Sequence, residues 1–315
     1  CPQVCRLNVP SISEGLVSNE NIPTSEKQMD AAIAMAWQED IGSGDVTSAA
    51  CIPFEAREKA GFLVKGSGVI AGLEVAGRVF AYGAPEVNFN PVASDGDLVE
   101  PGDVVAWASG PARQILTAER LALNFMQRMS GIATGTRRVV SLLKGTGTRV
   151  LDTRKTTPGL RVFEKAAVQI GGGVNHRMGL YDQILIKDNH VDYAGSMGAA
   201  VQGALDHLEK EGRRVPVVVE VRDLKELKEA LSVGGVDRLL LDNFTPDQAA
   251  VAVDFVGGQV QTEASGGLNP ENVRAYGEAG VDFVSLGWLT HSPMPLDISL
   301  KSAASLEGIK PGPNG

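Results

Sequence analysis

The sequence predicts an α/β fold with two domains, and three observations support this. The chain has 315 residues, of which 43% are hydrophobic and 21% charged, so it can bury a core large enough for more than one domain. Over residues 59–110, short apolar segments alternate with turn signals, which is typical of antiparallel strands. After residue 148, strand patterns alternate with helix patterns, which predicts a parallel sheet.

Helices are predicted on both sides of the antiparallel region. One covers residues 29–38 and leads into EDIGSGDVTS, which we interpret as a loop because its glycines interrupt the periodicity. A longer one covers residues 115–131 and is apolar except for a narrow polar stripe. Periodicity alone favours a solvated face for this stripe, which consists of Thr117, Arg120, Asn124, Gln127 and Arg128.

Six strands are predicted in the second domain, with the sequences RVLDT, QILIK, VPVVVEV, RLLLD, VQTEAS and DFVSLG. Helices are predicted between several of them, for example over residues 223–231 and 270–279. Parallel strands need crossover connections, and several of these strands are almost wholly apolar. Helices should therefore cover the sheet, which could close as a barrel.

Polar residues and glycines recur at the strand ends in phase with one βα unit. Glu220, Asp242, Ser265 and Gly287 follow one another at intervals of 22 or 23 residues, and Lys187 ends the strand before Glu220. Because the carboxyl ends of parallel strands form one face, we expect these residues to converge. The two carboxylates could hold a hydrated Mg²⁺ or ribose hydroxyls, or they could form a structural salt bridge with a basic residue such as Lys187.

Charge is distributed unevenly along the chain. The formal net charge of -9 argues against nucleic acid and anionic membranes as partners. No apolar run approaches the roughly 18 to 20 residues of a membrane span. Between Arg149 and Lys187, however, seven basic residues oppose three acidic ones, which suits a small polyanion.

Other patterns narrow the chemistry. The glycines of residues 171–173 could end a helix sharply or let the backbone approach a ligand, and the SGG of residues 265–267 is a weak phosphate-binding signal. The histidines form no zinc pattern, and no nucleophile elbow of a serine hydrolase is present. The three cysteines form no disulfide framework, so a reducing compartment is the default.

Several segments carry a resemblance to a known family. ERLALNFMQRMSGIAT, DTRKTTPGLRVFEKAAVQIGGGVNHRMGLYDQILIKDNH, LLLDN, EASGG and LTHS resemble the signature segments of the quinolinate phosphoribosyltransferases, also called carboxylating nicotinate-nucleotide pyrophosphorylases. The resemblance extends over residues 29–301, and the long middle segment is its most specific part.

The resemblance implies an amino-terminal α/β sandwich domain followed by a seven-stranded α/β barrel. We accordingly divide the chain into a flexible tail (1–24), the sandwich domain (25–130), the barrel (131–292) and a carboxyl-terminal segment and tail (293–315). The implied substrates are quinolinate and phosphoribosyl pyrophosphate with Mg²⁺, in at least a homodimer. Separately from the resemblance, the chain begins with Cys rather than Met, and we expect the cytoplasm, or an organelle matrix or stroma if a transit peptide preceded this start.

The resemblance also implies roles for single positions. Lys155, Lys187, Glu220 and Asp242 would be catalytic, and the two acidic residues would also hold Mg²⁺, directly or through water. Arg120 matches an arginine that reaches the active site of the adjoining subunit. The positions that match quinolinate-binding residues are Thr153, Arg154, Lys155, His176, Arg177 and Lys187. Those that match phosphate-binding loops are Ser265, Gly266, Gly267, Leu286, Gly287 and His291.

One departure and three alternatives remain open. Trp288 stands where the family pattern has a small residue, and we expect it to crowd the phosphate loop slightly. The chain could instead be a class I aldolase with a Schiff base on Lys187. It could also be a sensor of pyridine dicarboxylates without turnover, or a related phosphoribosyltransferase that uses nicotinate.

Overall fold

The computed structural model describes residues 25–306. The predicted tail of residues 1–24 and the final residues 307–315 lie outside the described part. The first half contains the elements α1 (Ser25–Ile41), α2 (Val46–Cys51), β1 (Arg57–Val64), β2 (Gly68–Val69), α3 (Leu73–Gly83), β3 (Asn88–Pro91), β4 (Leu98–Val99), β5 (Val104–Pro111) and α4 (Ala112–Leu142).

The segment EDIGSGDVTS, residues 39–48, is a loop only over residues 42–45, because its first three residues end α1. Helix α2 begins in it at Val46, because the carboxylate of Asp45 accepts hydrogen bonds from the backbone N–H of Ser48 at 2.9 Å and from its hydroxyl at 2.6 Å. This is the usual way in which an aspartate caps the first turn of a helix. The expectation of a loop throughout the segment is therefore wrong at both of its ends, which belong to α1 and α2.

An antiparallel sheet of the order β12-β1-β5-β3 forms the amino-terminal domain, as the strand and turn pattern predicted. Helix α3 packs on it, and the rings of Phe62, Phe80 and Phe89 cluster between them with centroid separations of 5.3 to 6.2 Å. The edge strand β12 (Ile298–Ser302) comes from the carboxyl-terminal segment, and its Leu300 pairs with Phe62 of β1. The carboxyl-terminal segment therefore supplies an edge strand to the sheet of the amino-terminal domain.

Helix α4 connects the two domains without a break. It has 31 residues, considerably more than the predicted 115–131, and it runs through the position of the predicted boundary at residue 130. Its buried residues recur on one face, from Ile115 to Val139. The helix thus packs against both sheets and fixes their relative positions.

The second half contains the elements β6 (Arg149–Leu151), α5 (Arg161–Ile170), β7 (Ile184–Ile186), α6 (Asp188–Ala194), α7 (Met197–Glu211), β8 (Val217–Val221), α8 (Leu224–Val233), β9 (Arg238–Asp242), α9 (Pro246–Val256), β10 (Gln261–Ser265), α10 (Val273–Glu278), β11 (Phe283–Ser285) and α11 (Trp288–His291). A 3-10 turn, Ala303–Leu306, follows β12. All six strands that the sequence predicted are present.

The six strands form one parallel sheet of the order β6-β11-β10-β9-β8-β7. Beside β6, Val174 forms a further parallel bridge with Leu151, and its N–H donates to the carbonyl of Val150 at 2.8 Å. The expected barrel of seven strands is thus described as six strands and one bridge. Gly172 and Gly173 precede Val174. Because Gly172 has a φ of +94°, its backbone is not extended, and a strand cannot continue back through it.

Local sequence explains where the crossover helices begin. Asp223 caps α8, and Thr245 and Gln248 form a reciprocal capping box at α9, whose first residue is Pro246.

Within residues 25–306, no helix is long and apolar enough to cross a membrane.

Candidate active site

Side chains from neighbouring strand ends line one edge of the parallel sheet. Because the strands are parallel, all their carboxyl ends lie at this edge, although the residues are far apart in the chain. The pairing of Asp242 with Ser265 in β9 and β10 shows how closely two of them are aligned. In the order of the strands from β6 to β7, the candidates are Lys155, Gly287, Ser265, Asp242, Glu220 and Lys187.

An ion pair joins the ends of β7 and β8. The ammonium nitrogen of Lys187 lies 2.7 Å from Oε2 of Glu220. The glutamate side chain is only 10% exposed, whereas that of the lysine is 45% exposed. This is the salt bridge that the sequence left open as an alternative, and it holds the ammonium at the edge of the sheet while leaving it accessible to a ligand.

A tight turn lies between Asp242 and the end of β10. Asn243 adopts a φ of +56°, and its N–H donates to the carbonyl of Ser265 at 2.9 Å. Gly266 has a φ of +99°, and a Cβ there would lie 2.2 Å from Oδ1 of Asn243, so no other residue fits. The glycines place bare backbone next to the Asp242 carboxylate, an arrangement that can bind phosphate oxygens.

Two loops meet at the end of β11. We call residues 153–157 the carboxylate loop. Residues 287–291, which consist of Gly287 and the short helix α11, are called the phosphate loop. A Cβ at Gly287 would lie 2.9 Å from Cδ of Lys155 and 3.2 Å from Cδ2 of His291, so the glycine lets both side chains pass. The hydroxyl of Thr290 donates to the carbonyl of Lys155 at 2.8 Å. Leu286 is fully buried, so only its backbone can contribute to a phosphate site.

The charges of two arginines in this stretch, Arg154 and Arg177, act on each other. Arg177 is buried and donates to the carbonyl of Gln183 at 3.3 Å, whereas Arg154 is exposed. Burial lowers the pKa of Arg177, and the positive charge of Arg154 lowers it further. An anion bound near both guanidinium groups would offset their mutual repulsion, so they are suited to binding a carboxylate or phosphate.

Not all basic residues of this stretch are available to a ligand. Lys165 is buried and forms an ion pair with Asp152. Burial raises the pKa of Asp152 to about 6 against the opposing effect of Lys165, and burial likewise lowers the pKa of Lys165. The pair holds the backbone of His176, whose N–H donates to Asp152 at 2.8 Å and whose carbonyl accepts from Lys165 at 2.9 Å. Lys165 therefore contributes to the site by fixing the backbone of His176.

His176 is fixed in one tautomer. Its Nδ1 accepts the backbone N–H of Arg177 at 2.7 Å, so the proton of the neutral ring is on Nε2. Nε2 faces Oε1 of Glu263 at 3.6 Å, and the other oxygen of this fully buried carboxylate accepts from Arg238 at 3.0 Å. Burial lowers the pKa of His176, which favours the neutral ring. Both nitrogens face protein groups, and this geometry favours a role in orienting Arg177.

The indole ring of Trp288, in the phosphate loop, packs against helix α4. A Cβ at Gly135 in α4 would lie 3.3 Å from Cζ3 of the indole, so the ring rests on the helix at a position without a side chain. Trp288 packs against the hydrophobic core. Gly135 thus provides space for one side of the ring, and crowding of the phosphate loop by Trp288 stays a prediction.

The polar stripe on α4 has several roles. Arg120 and Asn124 are exposed, so the interpretation as a solvated face applies to these two. The hydroxyl of Thr117 donates to a carbonyl one turn earlier at 2.8 Å, and the amide of Gln127 donates to a carbonyl of β12 at 2.6 Å. Arg128 forms an ion pair with Glu164 in α5. Sequence analysis did not identify this pair, because its partners are 36 residues apart.

The donor set fits a weakly held magnesium ion. Within residues 25–306, no group of three His, Cys, Asp or Glu side chains is arranged to hold a metal. Glu220 and Asp242 nevertheless provide two carboxylates at neighbouring strands β8 and β9. Mg²⁺ usually takes one or two protein carboxylates and completes its shell with water and substrate phosphates. The site therefore suits an ion that enters together with a phosphate ligand.

Both domains match family models. Residues 45–130 match the model described as quinolinate phosphoribosyl transferase, N-terminal domain, and residues 132–301 match that of the C-terminal domain. The chain is 42% identical over 286 residues to the carboxylating nicotinate-nucleotide pyrophosphorylase, chloroplastic, of Arabidopsis thaliana, covering 86% of this chain and 82% of that protein. It is 41% identical over 272 residues to the probable enzyme of the same name from Bacillus subtilis, covering 86% and 92%.

Solved structures of the same family are similar in fold. NadC from Streptococcus pyogenes superposes with a TM-score of 0.83 at 39% identity, covering 89% of this chain and 98% of that one. The nicotinate-nucleotide pyrophosphorylase from Francisella tularensis also reaches a TM-score of 0.83, at 34% identity, and covers 90% and 98%. These similarities confirm the sequence prediction of the sandwich and barrel-like architecture.

Proposed function

Because the chain belongs to the quinolinate phosphoribosyltransferase family, we propose that it transfers the phosphoribosyl group of phosphoribosyl pyrophosphate to quinolinate in NAD biosynthesis. The products are nicotinate mononucleotide, pyrophosphate and CO₂. One observation carries the proposal: the Lys187–Glu220 ion pair joins two neighbouring strand ends at the carboxyl edge of the sheet, where Asp242 and Ser265 are also aligned. This edge can hold two polyanions next to each other.

The basic residues divide between the two substrates. Arg154 and Arg177 provide planar donor groups that suit the two carboxylates of quinolinate, and Lys155 and Lys187 add point charges. The turn at Gly266 and the phosphate loop offer backbone groups to the phosphates. Bringing the two anions together costs Coulomb energy, which the fixed cations offset.

The first step forms a C–N bond and breaks a C–O bond. The lone pair of the pyridine nitrogen attacks the anomeric carbon, and pyrophosphate leaves with the electron pair of the broken bond. Positive charge develops on the ribose in the transition state, and the carboxylates of Glu220 and Asp242 stabilise it. Bound Mg²⁺ would supply positive charge to the pyrophosphate, held by Glu220 and Asp242 directly or through water.

The second step removes the carboxylate next to the nitrogen. The pyridinium ring takes up the electron pair of the breaking C–C bond, CO₂ leaves, and the ring carbon then takes up a proton. This step requires no organic cofactor. Lys155 and Lys187 position the carboxylates rather than attack them, since the Nζ of Lys187 is engaged in the ion pair with Glu220. The same ion pair argues against an aldolase with a Schiff base on Lys187.

We also propose a homodimer or a higher homo-oligomer. Arg120 is exposed on α4, and the large hydrophobic residues Leu116 on the same helix and Val46 and Phe54 near α2 are exposed as well. Such a surface suits contact with a second copy. In that assembly, Arg120 would reach the active site of the adjoining subunit. For the compartment we propose the cytoplasm, or an organelle as in the relatives named chloroplastic and mitochondrial.

An assay with defined substrates tests the proposed function. The protein is incubated with phosphoribosyl pyrophosphate, Mg²⁺ and either quinolinate or nicotinate, and nucleotide, pyrophosphate and CO₂ are measured. We expect equal amounts of the three products from quinolinate. Turnover of nicotinate in preference to quinolinate would support the alternative transferase. Binding of quinolinate without release of pyrophosphate would support the sensor.

A further inference from the structure

Arg128 lies between the carboxylate loop and the phosphate loop. Its Nε donates to Oε1 of Glu164 at 2.9 Å. Its Nη2 donates to the hydroxyl of Thr157, at the end of the carboxylate loop, at 2.7 Å. The same Nη2 donates to the carbonyl of Thr290, in the phosphate loop, at 3.3 Å. One guanidinium therefore contacts both loops and the helix that follows the first of them.

Glu164 completes the connection from the opposite side. Its side chain is only 1% exposed, and its Oε2 accepts the backbone N–H of Thr157 at 3.1 Å. A buried carboxylate requires such partners, because burial without them is strongly unfavourable. Glu164 contacts the carboxylate loop and Arg128, but it makes no direct hydrogen bond to the phosphate loop among the described residues.

The two loops are also joined directly, by the bond from the hydroxyl of Thr290 to the carbonyl of Lys155. Lys155 in turn crosses Gly287, so a shift of either loop moves a side chain that faces the other. Reaction between two bound substrates depends on their relative position, and a displacement of about 1 Å can cost about 100-fold in rate. A rigid connection between the loops therefore matters for the reaction.

We propose that Arg128 and Glu164 are positioning residues that hold the carboxylate loop and the phosphate loop in one fixed arrangement. The inference rests on the proposed function, in which one loop binds quinolinate and the other binds phosphoribosyl pyrophosphate. Both residues act through protein groups, since their hydrogen bonds join them to each other and to the two loops. The position of the phosphate loop then depends on the carboxylate of Glu164, although Glu164 itself contacts only the carboxylate loop and Arg128.

Glu164→Gln provides the sharpest test because Glu164 contacts one loop only. It keeps the shape of the side chain and removes the charge that holds Arg128. We expect the KM values for both quinolinate and phosphoribosyl pyrophosphate to rise by about 10-fold. We also expect faster amide hydrogen exchange in both loops of the ligand-free protein. Glu278→Gln is the matched control, since Glu278 pairs with Arg274 on the surface of α10; it should change neither quantity.

The outcomes separate a positioning role from a merely structural one. A rise in the KM for quinolinate alone, with unchanged exchange at residues 287–291, would overturn the proposal. If Glu164→Gln does not fold, the double variant Arg128→Leu/Glu164→Leu replaces both charges by apolar groups, a change that buried ion pairs often tolerate. It is expected to show the same two effects. If the wild-type protein lacks turnover, the proposed function fails, while hydrogen exchange still decides whether the loops are coupled.

Discussion

The ammonium of Lys187 and the carboxylate of Glu220 lie 2.7 Å apart across two neighbouring strand ends. The pair joins a residue predicted to bind quinolinate to one predicted to face the ribose. We expect Glu220→Gln to reduce kcat by about 100- to 1,000-fold, because the carboxylate acts mainly on the charge of the transition state. Steady-state kinetics and thermal unfolding measure this.

Glu226→Gln is a suitable control for that variant, because Glu226 in the first turn of α8 pairs with Arg222, a half-exposed residue just before that helix. A drop in kcat of similar size in both variants would contradict a specific role for Glu220. An unchanged kcat in Glu220→Gln would do so as well.

Arg177→Ala should weaken quinolinate more than phosphoribosyl pyrophosphate. Arg177 is buried and its charge interacts with that of Arg154, so we expect a carboxylate of quinolinate to accept its hydrogen bonds. Loss of a bond to a charged group corresponds to about 10- to 100-fold in affinity. Calorimetric titration with each substrate measures the two dissociation constants. Equal weakening of both would show that Arg177 does not belong to the quinolinate site.

Gly266→Ala tests the turn beside Asp242. The new Cβ would lie 2.9 Å from the backbone nitrogen of Asn243, and the φ of +99° is unfavourable for alanine. We expect a loss of about 1–3 kcal/mol in the free energy of unfolding and a higher KM for phosphoribosyl pyrophosphate. Gly203→Ala in α7, where no atom lies within 4 Å of the new Cβ, should be neutral or slightly stabilising. Equal unfolding midpoints for the two variants would refute the strained turn.

The burial of His176 predicts a specific dependence of stability on pH. Burial lowers its pKa in the folded protein below the ordinary value of 6.5, so the unfolded chain binds a proton more readily. The contribution of His176 is therefore present above pH 6.5 and is lost as the pH falls towards the lowered pKa. Between pH 7.5 and 6, the free energy of unfolding should fall by less than about 1 kcal/mol from this group.

His176→Asn should remove this part of the slope in denaturant unfolding at several pH values. The comparison is confined to pH 6 and above because Asp152 acts in the opposite direction. Its folded pKa is raised to about 6, so its contribution is present below the ordinary value of 3.8 and is lost as the pH rises through 6. An identical slope in His176→Asn and the wild-type protein would mean that His176 titrates normally when folded.

Local patterns predicted much of the second domain. A parallel strand between apolar layers reads as a short apolar run, and the βα unit repeats at 22 or 23 residues, so the strands and their polar ends were identifiable. The family resemblance added the identity of the site residues. Local patterns did not predict helix α3 within the antiparallel region, nor the full length of α4. The turn signals around these segments favoured strands and loops over helices.

The sequence by itself determined which residue types stand at which strand ends, and hence that basic and acidic groups gather at one edge of the sheet. Only the tertiary structure decided which of them stay accessible. Lys165 and Arg177 are both basic residues of the same stretch. Lys165 is paired with Asp152, whereas the charge of Arg177 is opposed by that of Arg154. Partners such as Arg128 and Glu164, or β1 and β12, are far apart in the chain. Burial and pairing depend on contacts that form only when distant segments pack, and no local periodicity records them.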